Sequence, residues 1–249
     1  MSDTFSAIET ERYARHLVMP EIGGPGQQKL RAARVFVLGA GGLGAPALQY
    51  LAAAGVGQIT IVDDDTVSLS NLQRQIIHTT ATIGKPKVDS AVEALNAINP
   101  HVHIRRKNLR MTHENAETLL AGHTLALDGS DNFRARYLMA DTCAAAQIPL
   151  ITAAVNRFDG SITTLVPWSE GNPGYRDLFP DQPDDGMLPT CEEAGVLGAM
   201  TGLMGTLQAL EAIKQITGIG EGLVGKLLMV DAMNLRFQTI VYKPLRQAP

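Results

Sequence analysis

The sequence predicts an α/β fold in which a doubly wound, mostly parallel sheet carries a C-terminal antiparallel extension. Three observations support this prediction. Short apolar runs alternate with helical patterns through residues 32–155, a glycine-rich turn follows the first run, and two closely spaced strand patterns replace the alternation near the end of the chain. Regular alternation of this kind is typical of parallel sheets with helices on both faces, the Rossmann-like class.

Apolar periodicity and turn residues define the elements of the first 155 residues. Residues 1–31 form a charged, helical entry segment. Strands are predicted at 34–39, 58–62, 102–106, 124–128 and 149–154. Helices are predicted at 45–54, 87–98, 114–120 and 131–146, and we expect Asp131 to cap the last of them.

The pattern changes beyond residue 155. A strand predicted at 161–166 leads into a stretch rich in Pro, Gly and Asp at 167–190. That stretch is too long for an ordinary connection, so it is either a functional loop or locally disordered. A long helix and two final strands are predicted at 194–217, 226–230 and 237–242. We treat residues 1–249 as one domain with internal boundaries after residues 31 and 155.

The composition is that of a soluble globular protein. Hydrophobic residues make up 45% of the 249 positions, and the net charge of −4 argues against nucleic acid or an anionic membrane as the main partner. Charges interrupt the N-terminal segment where a signal peptide needs an apolar core, and no apolar stretch is long enough to span a membrane. Because only Cys143 and Cys191 occur, we expect neither a disulfide framework nor a four-cysteine zinc site, and we expect a cytoplasmic location.

A glycine loop lies between the first predicted strand and the first helix of the alternation. Gly39, Gly41, Gly42 and Gly44 permit a tight turn and let phosphate oxygens approach backbone amides at the positive end of the helix. Asp63 ends the second strand, where a carboxylate can accept hydrogen bonds from ribose hydroxyls. This context predicts that residues 32–155 bind a nucleotide.

The stretch that follows Asp63 indicates which nucleotide is bound. It contains Asn71 and Arg74, and Lys87 comes shortly after. Such cations suit a triphosphate, whose charge builds up during attack at phosphorus. A nicotinamide-dependent dehydrogenase does not need them, and no catalytic Tyr-Lys or His pair occurs at helical spacing. Taken singly, Arg74 could be a solvated surface residue and Asn71 a turn former, but their joint arrangement favours ATP.

Acidic residues also follow the fourth predicted strand. Asp128 ends that strand, and Asp131 and Asn132 come next, so they should lie at the carboxyl edge of the sheet beside the nucleotide. A carboxylate facing a triphosphate is unfavourable unless Mg²⁺ lies between them. Asp131 is therefore the candidate magnesium ligand.

Together these motifs resemble the MoeB/ThiF/HesA family, bacterial relatives of the ubiquitin-activating enzymes. The resemblance covers nearly the whole chain. It rests on motifs at residues 12–15, 39–44, 63–75, 85–87, 131–132 and 190–195. Within the third motif, the Asn-Leu-Gln-Arg core at 71–74 is far more specific than the glycine loop.

The resemblance implies an ATP- and Mg²⁺-dependent adenylyltransferase. Such an enzyme activates the C-terminal Gly-Gly carboxylate of a small ubiquitin-like sulfur carrier protein as an acyl-adenylate and releases pyrophosphate. The carrier would serve molybdopterin, thiamine or another thiocarboxylate pathway, and residues 156–249 would bind it. The resemblance also implies a homodimer in which Arg15 reaches the ATP of the other subunit.

The resemblance further assigns residues to these roles. Those implied in catalysis are Arg15, Arg74, Lys87 and Asp131. Those implied in binding ATP and Mg²⁺ are Gly39, Gly41, Gly42, Gly44, Asp63, Asp65, Ser70, Asn71, Leu72, Gln73, Arg74, Lys87, Asp131 and Asn132.

The chain departs from the family pattern at the zinc cysteines. Many members hold a structural zinc with two Cys-x-x-Cys pairs, but here residues 174–177 read Gly-Tyr-Arg-Asp and no second pair precedes the C-terminus. We therefore expect no zinc. Residues 167–190 are then either held by other contacts or mobile until a partner binds, and we expect mobility. Cys191 stands where some members form a covalent sulfur link with the carrier, although it could equally be a small loop residue. Cys143 is expected in the core.

Other functions remain open at this point. The same fold could adenylate a peptide or a tRNA-linked carboxylate, and relatives of that kind often lack the zinc cysteines. A non-catalytic nucleotide-binding scaffold is a further alternative, although the set of Arg15, Asn71, Arg74, Lys87 and Asp131 argues against it.

Overall fold

One eight-stranded sheet organises the computed structural model, which describes residues 4–182 and 195–245. In chain order the strands are β1 (Arg34–Leu38), β2 (Gln58–Val62), β3 (His103–Lys107), β4 (Leu125–Asp128), β5 (Leu150–Asn156), β6 (Asp159–Leu165), β7 (Lys226–Asp231) and β8 (Arg236–Val241). Their spatial order is β3-β2-β1-β4-β5-β6-β7-β8. Strands β1 to β5 pair in parallel, and β6, β7 and β8 add antiparallel strands at one edge. The predicted fold class is confirmed.

The predicted helices are present, and residues 175–178 form a short additional helix inside the stretch that the sequence predicts to be a loop or disordered. The helices are α1 (Ala7–Arg12), α2 (Ala14–Leu17), α3 (Gly23–Ala32), α4 (Gly44–Ala53), α5 (Lys87–Ile98), α6 (Ala116–Leu120), α7 (Phe133–Ala145), α8 (Tyr175–Leu178) and α9 (Gly198–Thr217). Two 3₁₀ turns add Leu69–Asn71 and Thr80–Thr82. None of the helices in the described ranges has both the length and the apolar character required to cross a membrane.

The predicted cap of α7 is wrong by one residue. The helix begins at Phe133, and the Asn132 side chain accepts a hydrogen bond of 2.9 Å from the Ala135 amide. Asn132 has the extended backbone conformation of an N-cap residue, from which a side-chain oxygen reaches the third amide of the helix. Asp131 lies one position too early for that contact, so its carboxylate does not cap the helix.

Side chains of β1 alternate between two cores, as expected for a doubly wound sheet. Val35 and Val37 belong to the core under α4, α5 and α9, whereas Phe36 and Leu38 belong to the core under α6 and α7. Successive residues of a strand point to opposite faces, so one short apolar run supplies both cores. Cys143 lies in the second core with 1% of its surface exposed, and burial raises the pKa of its thiol. The prediction that it is a core residue is confirmed.

The buried carboxylate of Glu211 joins α9 to the antiparallel part of the sheet. Its Oε1 accepts hydrogen bonds from Thr164 Oγ1 in β6 at 2.9 Å and from the Leu223 amide at 2.7 Å. Lys214 Nζ lies 2.8 Å from Oε2. Burial alone would raise the pKa of this carboxyl, but the hydrogen bonds outweigh burial and leave the pKa below its usual value.

Specific contacts hold residues 167–182, the described part of the segment for which we expected mobility. The phenolic oxygen of Tyr137 donates to the backbone oxygens of Phe179 at 2.8 Å and Asp181 at 2.9 Å. Arg176 pairs with Asp141 on α7 at 2.7 Å. In this part of the chain, contacts other than zinc therefore anchor the segment. Residues 183–190 lie outside the described ranges.

Asp177 connects the same segment to the C-terminal tail. One carboxylate oxygen accepts a hydrogen bond from the Gly174 amide at 2.7 Å, and the other accepts one from the Leu245 amide at 2.7 Å. Gly174 and Asp177 occupy the positions at which the resemblance places the first pair of zinc cysteines. A hydrogen-bonded carboxylate thus links the two parts of the chain for which the resemblance implies a zinc link in other members.

We expect Asp177→Ala to lower the free energy of unfolding by about 1–2 kcal/mol, because both hydrogen bonds are lost. Asp177→Asn retains one acceptor oxygen and should lose about half as much. Chemical denaturation measures both values, and limited proteolysis should cleave the tail near Leu245 faster in the Ala variant. Equal stability of the Ala variant and the wild type would show that the link contributes nothing.

Candidate functional site

A cavity of about 720 Å³ opens at the carboxyl edge of the parallel strands, between β2, β1 and β4. In the sheet, β1 lies between β2 and β4, so the connections after β1 and after β3 lead to opposite sides of β1. Open α/β sheets bind ligands at this point, where the strand order reverses. Nine of the predicted site residues line it: Gly39, Gly41, Gly42, Asp63, Asp65, Arg74, Lys87, Asp131 and Asn132.

The glycine loop forms one wall of the cavity. Gly39 has a φ of +90°, and its amide donates to the Val62 oxygen at 2.8 Å. Gly44, the first residue of α4, packs against the start of the loop: a Cβ added to it would lie 2.0 Å from the Gly39 oxygen. Glycine at this position lets the positive end of α4 close onto the loop. Gly44 therefore shapes the loop, although it is not among the described lining residues.

Asp63 joins the glycine loop to the end of β2. Its Oδ2 accepts a hydrogen bond from the Ala40 amide at 2.8 Å, and its Oδ1 accepts one from the Asp65 amide at 2.9 Å. Burial raises the pKa of this carboxyl, while the two amides act in the opposite direction. Each carboxylate oxygen keeps further acceptor capacity for a ribose hydroxyl.

Lys87 is a buried cation at the floor of the cavity. Only 6% of its surface is exposed, and its Nζ lies 2.7 Å from Asp65 Oδ2. The backbone amide of Lys87 also donates to the backbone carbonyl oxygen of Asp65 at 2.9 Å. This pair fixes the ammonium group at the start of α5, within the cavity, where it can meet a phosphate.

Two acidic groups border the cavity, and they differ in their availability for a metal ion. In the first group, oxygens of Asp63, Asp64 and Asp65 lie within 4.8 Å of one another. Backbone amides, Arg110 and Lys87 already contact these carboxylates. The second acidic group is Asp131 alone. Its side chain is exposed, and the side-chain amide nitrogen of Asn132 lies 3.4 Å from its Oδ1. Among the described residues, no cation pairs with the Asp131 carboxylate to neutralise its charge. Such a carboxylate suits Mg²⁺, which binds through one or two carboxylates together with substrate phosphates.

Of residues 70–74, which include the Asn-Leu-Gln-Arg motif, only Arg74 is among the described residues that line the cavity. Arg74 lines the cavity, and its Nη1 donates to the Ser70 oxygen at 3.1 Å. Asn71 is buried, and its Oδ1 accepts from the Ser68 amide at 3.1 Å, which closes the 3₁₀ turn. Ser70, Asn71, Leu72 and Gln73 are absent from the described lining, so their assignment to ATP binding stays a prediction.

Two other predicted residues are not among the described residues that line the cavity. Arg15 is exposed on α2 and is not among the described residues that line the cavity. This position is compatible with reaching another subunit but does not test it. Cys191 lies outside the described ranges, so its covalent role stays untested.

Sequence reasoning missed part of the cavity lining. Residues 109–114, between β3 and α6, line the cavity, and Thr201 of α9 also contributes. The signal was present, because β3 is parallel to β2 and its carboxyl end reaches the same edge of the sheet. Three lining residues also have buried polar atoms without a hydrogen-bond partner in the described chain: Gln75 Oε1, Ser130 Oγ and Arg136 Nε. Such atoms can form hydrogen bonds with water or with a polar ligand.

Comparison with known proteins agrees with the motifs. Residues 13–248 match the ThiF family. The chain is 45% identical over 249 residues to the SAMP-activating enzyme E1 of Haloferax volcanii, a match covering 100% of this chain and 91% of that protein. It is 42% identical over 244 residues to the sulfur carrier protein adenylyltransferase of Thermus thermophilus, covering 97% of this chain and 90% of that protein.

Solved structures show the same fold. The crystal structure of Escherichia coli MccB aligns with a TM-score of 0.84 and covers 98% of this chain and 73% of that chain. Sequence identity is 19%, so this likeness concerns the fold alone. It agrees with the Rossmann-like sheet and its antiparallel extension.

Proposed function

The chain belongs to the ThiF family, and from that premise we propose that it is an ATP- and Mg²⁺-dependent adenylyltransferase. Its substrate is the C-terminal Gly-Gly carboxylate of a small ubiquitin-like sulfur carrier protein. The observation that carries this proposal is one cavity that brings together the glycine loop, Asp63, Arg74, Lys87 and Asp131. The relatives named above support the adenylyl transfer and the class of substrate.

The reaction requires positioning and charge compensation rather than a protein nucleophile. A carboxylate oxygen of the carrier attacks the α-phosphorus and forms an acyl–phosphate bond. The bond from that phosphorus to the bridging oxygen breaks, and pyrophosphate leaves with the electron pair. Arg74 and Lys87 offset the charge that develops on the phosphates, while Asp63 fixes the ribose.

Asp131 and its neighbourhood would hold the magnesium ion. When bound, Mg²⁺ neutralises charge on the phosphates and on the departing pyrophosphate. The Asp131 carboxylate faces the cavity without a cationic partner among the described residues, which supports this assignment. We also propose that zinc is not required, because Asp177 ties the Gly174 region to Leu245. The cysteine count supports a cytoplasmic location.

The enzyme is further proposed to act as a homodimer with composite sites. Arg15 is exposed on α2 and is not among the described residues that line its own subunit's cavity, which supports a role in the other subunit's site. Arg15→Ala and Arg74→Ala should each reduce activity in homodimers. Mixed dimers of the two variants should recover activity, because one of their two sites contains both arginines.

Recovery in mixed dimers is measured by co-expressing the two variants with different affinity tags and purifying through both tags. The maximum expected is about half of wild-type activity, since one site of the two is intact. Mixed dimers no more active than either homodimer would place Arg15 in the site of its own subunit or outside the reaction.

ATP–pyrophosphate exchange tests the proposed function directly. Exchange should appear with Mg²⁺ and one Gly-Gly-tailed carrier, and it should disappear when the two terminal glycines of that carrier are removed. ATP binding without exchange for any carrier would redirect the proposal to a peptide or tRNA-linked carboxylate. Exchange that survives removal of the glycines would exclude the carrier tail as the substrate.

A further inference from the structure

A buried histidine contacts the glycine loop from behind the cavity. His78 is 5% exposed and lies three residues after Gln75. Its Nε2 is 3.0 Å from the Ala40 oxygen, and its Nδ1 is 2.9 Å from Ser90 Oγ on α5. His78 is absent from the described lining of the cavity, so any effect on a nucleotide is indirect.

The hydrogen bond between His78 and Ala40 places a proton on one of the two ring nitrogens. A backbone carbonyl oxygen can only accept, so Nε2 carries the proton and donates to Ala40. Nδ1 lies beside the Ser90 hydroxyl, which in turn donates to Thr82 Oγ1 at 2.9 Å. Burial is the largest influence on the pKa of His78 and lowers it, and the nearby Lys87 charge acts in the same direction. Both of these influences favour the neutral form of the ring, while the hydrogen bond to Ala40 acts in the opposite direction.

Peptide geometry carries this contact into the cavity. The carbonyl of Ala40 and the amide of Gly41 belong to one trans peptide unit, so they point in opposite directions. A carbonyl held toward His78 turns the Gly41 amide toward the cavity that Gly41 lines.

The Gly41 amide is also the first backbone amide of the glycine loop that can still donate a hydrogen bond to a ligand. The amides of Gly39 and Ala40 already donate to Val62 and Asp63, at 2.8 Å each. Within the described residues, no acceptor meets the Gly41 amide.

We propose that His78 is a positioning residue for the reaction: by holding the Ala40 carbonyl, it aims the Gly41 amide at a phosphate of bound ATP. This inference rests on the proposed use of ATP at this site. Without the hydrogen bond from His78, the plane of the peptide between Ala40 and Gly41 can change its orientation. The Gly41 amide then no longer points at the phosphate, and one amide–phosphate hydrogen bond is lost. Hydrogen bonds to charged groups are strong, so we expect ATP affinity to fall about tenfold.

Two substitutions separate the roles of the two ring nitrogens. In His78→Gln, the amide nitrogen is as many bonds from the backbone as Nε2 and can still donate to Ala40. In His78→Asn, the shorter amide can still reach Ser90 but not Ala40. Isothermal titration with Mg·ATP should give a Kd within about threefold of wild type for the Gln variant and about tenfold higher for the Asn variant.

His123 provides a matched control. It is a half-buried histidine whose Nδ1 and Nε2 contact the Leu120 oxygen at 3.0 Å and Thr60 Oγ1 at 2.8 Å, and it is not among the described residues of the cavity. His123→Gln should lower the unfolding temperature without changing the Kd for ATP. A loss of affinity in this variant equal to that of His78→Asn would overturn the inference.

Nuclear magnetic resonance reports on the peptide itself. The sequence contains four Ala-Gly pairs, which begin at residues 40, 54, 121 and 194, so labelling alanine carbonyl carbon and glycine nitrogen yields four correlations. ATP should shift the Ala40–Gly41 signal in the wild type and in His78→Gln, but not in His78→Asn.

Each result of these measurements has a defined meaning. Equal ATP affinities in the Gln and Asn variants, whether both retained or both lost, would overturn the inference. So would an ATP-induced shift of the Ala40–Gly41 signal that persists in the Asn variant. A wild-type protein that binds no ATP would instead overturn the proposed function, and this inference with it.

Discussion

The Asp131→Asn variant is expected to lose ATP–pyrophosphate exchange by at least about a hundredfold, because the amide cannot supply the charge that holds Mg²⁺ against the phosphates. Its fold should be intact. Asp131 is exposed, and the neighbouring Asn132 makes the capping hydrogen bond of α7. The unfolding temperature should therefore match that of the wild type, which separates loss of the metal ligand from loss of structure.

The measurement is the initial rate of carrier-dependent exchange at saturating ATP, repeated over a series of Mg²⁺ concentrations. A partial recovery at high Mg²⁺ would agree with weakened metal binding. Asp141→Asn is the matched control, because Asp141 is exposed on α7 and pairs with Arg176 outside the cavity. If Asp64→Asn caused the loss instead of Asp131→Asn, the metal would belong to the acidic group at 63–65.

The Glu211→Ala variant is expected to lose about 3 kcal/mol or more of its free energy of unfolding. Removing the carboxylate deletes its hydrogen bonds and leaves the Thr164 hydroxyl and the Leu223 amide without their acceptor. Lys214, which is partly buried beside it, loses its ion-pair partner. For a chain of this length, such a loss lowers the unfolding temperature by roughly 6–12 °C.

Glu221→Ala is the matched control for the Glu211 variant. Glu221 is largely exposed and pairs with Lys226, and a surface pair of this kind contributes at most about 1 kcal/mol. Urea denaturation followed by circular dichroism measures both variants. A Glu211 variant as stable as the control would show that the network does not hold α9 against β6.

Acidification provides an independent check on Glu211. Its pKa is lowered in the folded protein, so the stability it contributes is present above the unfolded-state value, about 4.3, and is lost as pH falls through the folded value. Glu211→Gln removes this titration. The difference in stability between wild type and Glu211→Gln should therefore be constant from about pH 6 to about pH 5 and shrink toward about pH 3.

Most of the nucleotide site could be predicted because its residues follow strand ends in the sequence. Parallel strands bring all their carboxyl ends to one edge, so Gly39, Asp63 and Asp131 must meet there once the strand–helix alternation is recognised. The same rule applied to β3 would have found residues 109–114. The misplaced α7 cap was an error of one residue in a local pattern, where Asp131 and Asn132 are both acceptable capping types.

The sequence by itself determined the positions of most elements, the burial of β1 and the motifs that identify the family. Only the tertiary structure decided that His78 holds Ala40, that Glu211 joins Thr164 and that Asp177 binds Leu245, contacts that span 38, 47 and 68 residues. The physical reason is that periodicity and turn chemistry act within a few residues. A buried polar side chain instead takes whichever partner the packed chain places within hydrogen-bonding distance, and no local pattern specifies that partner.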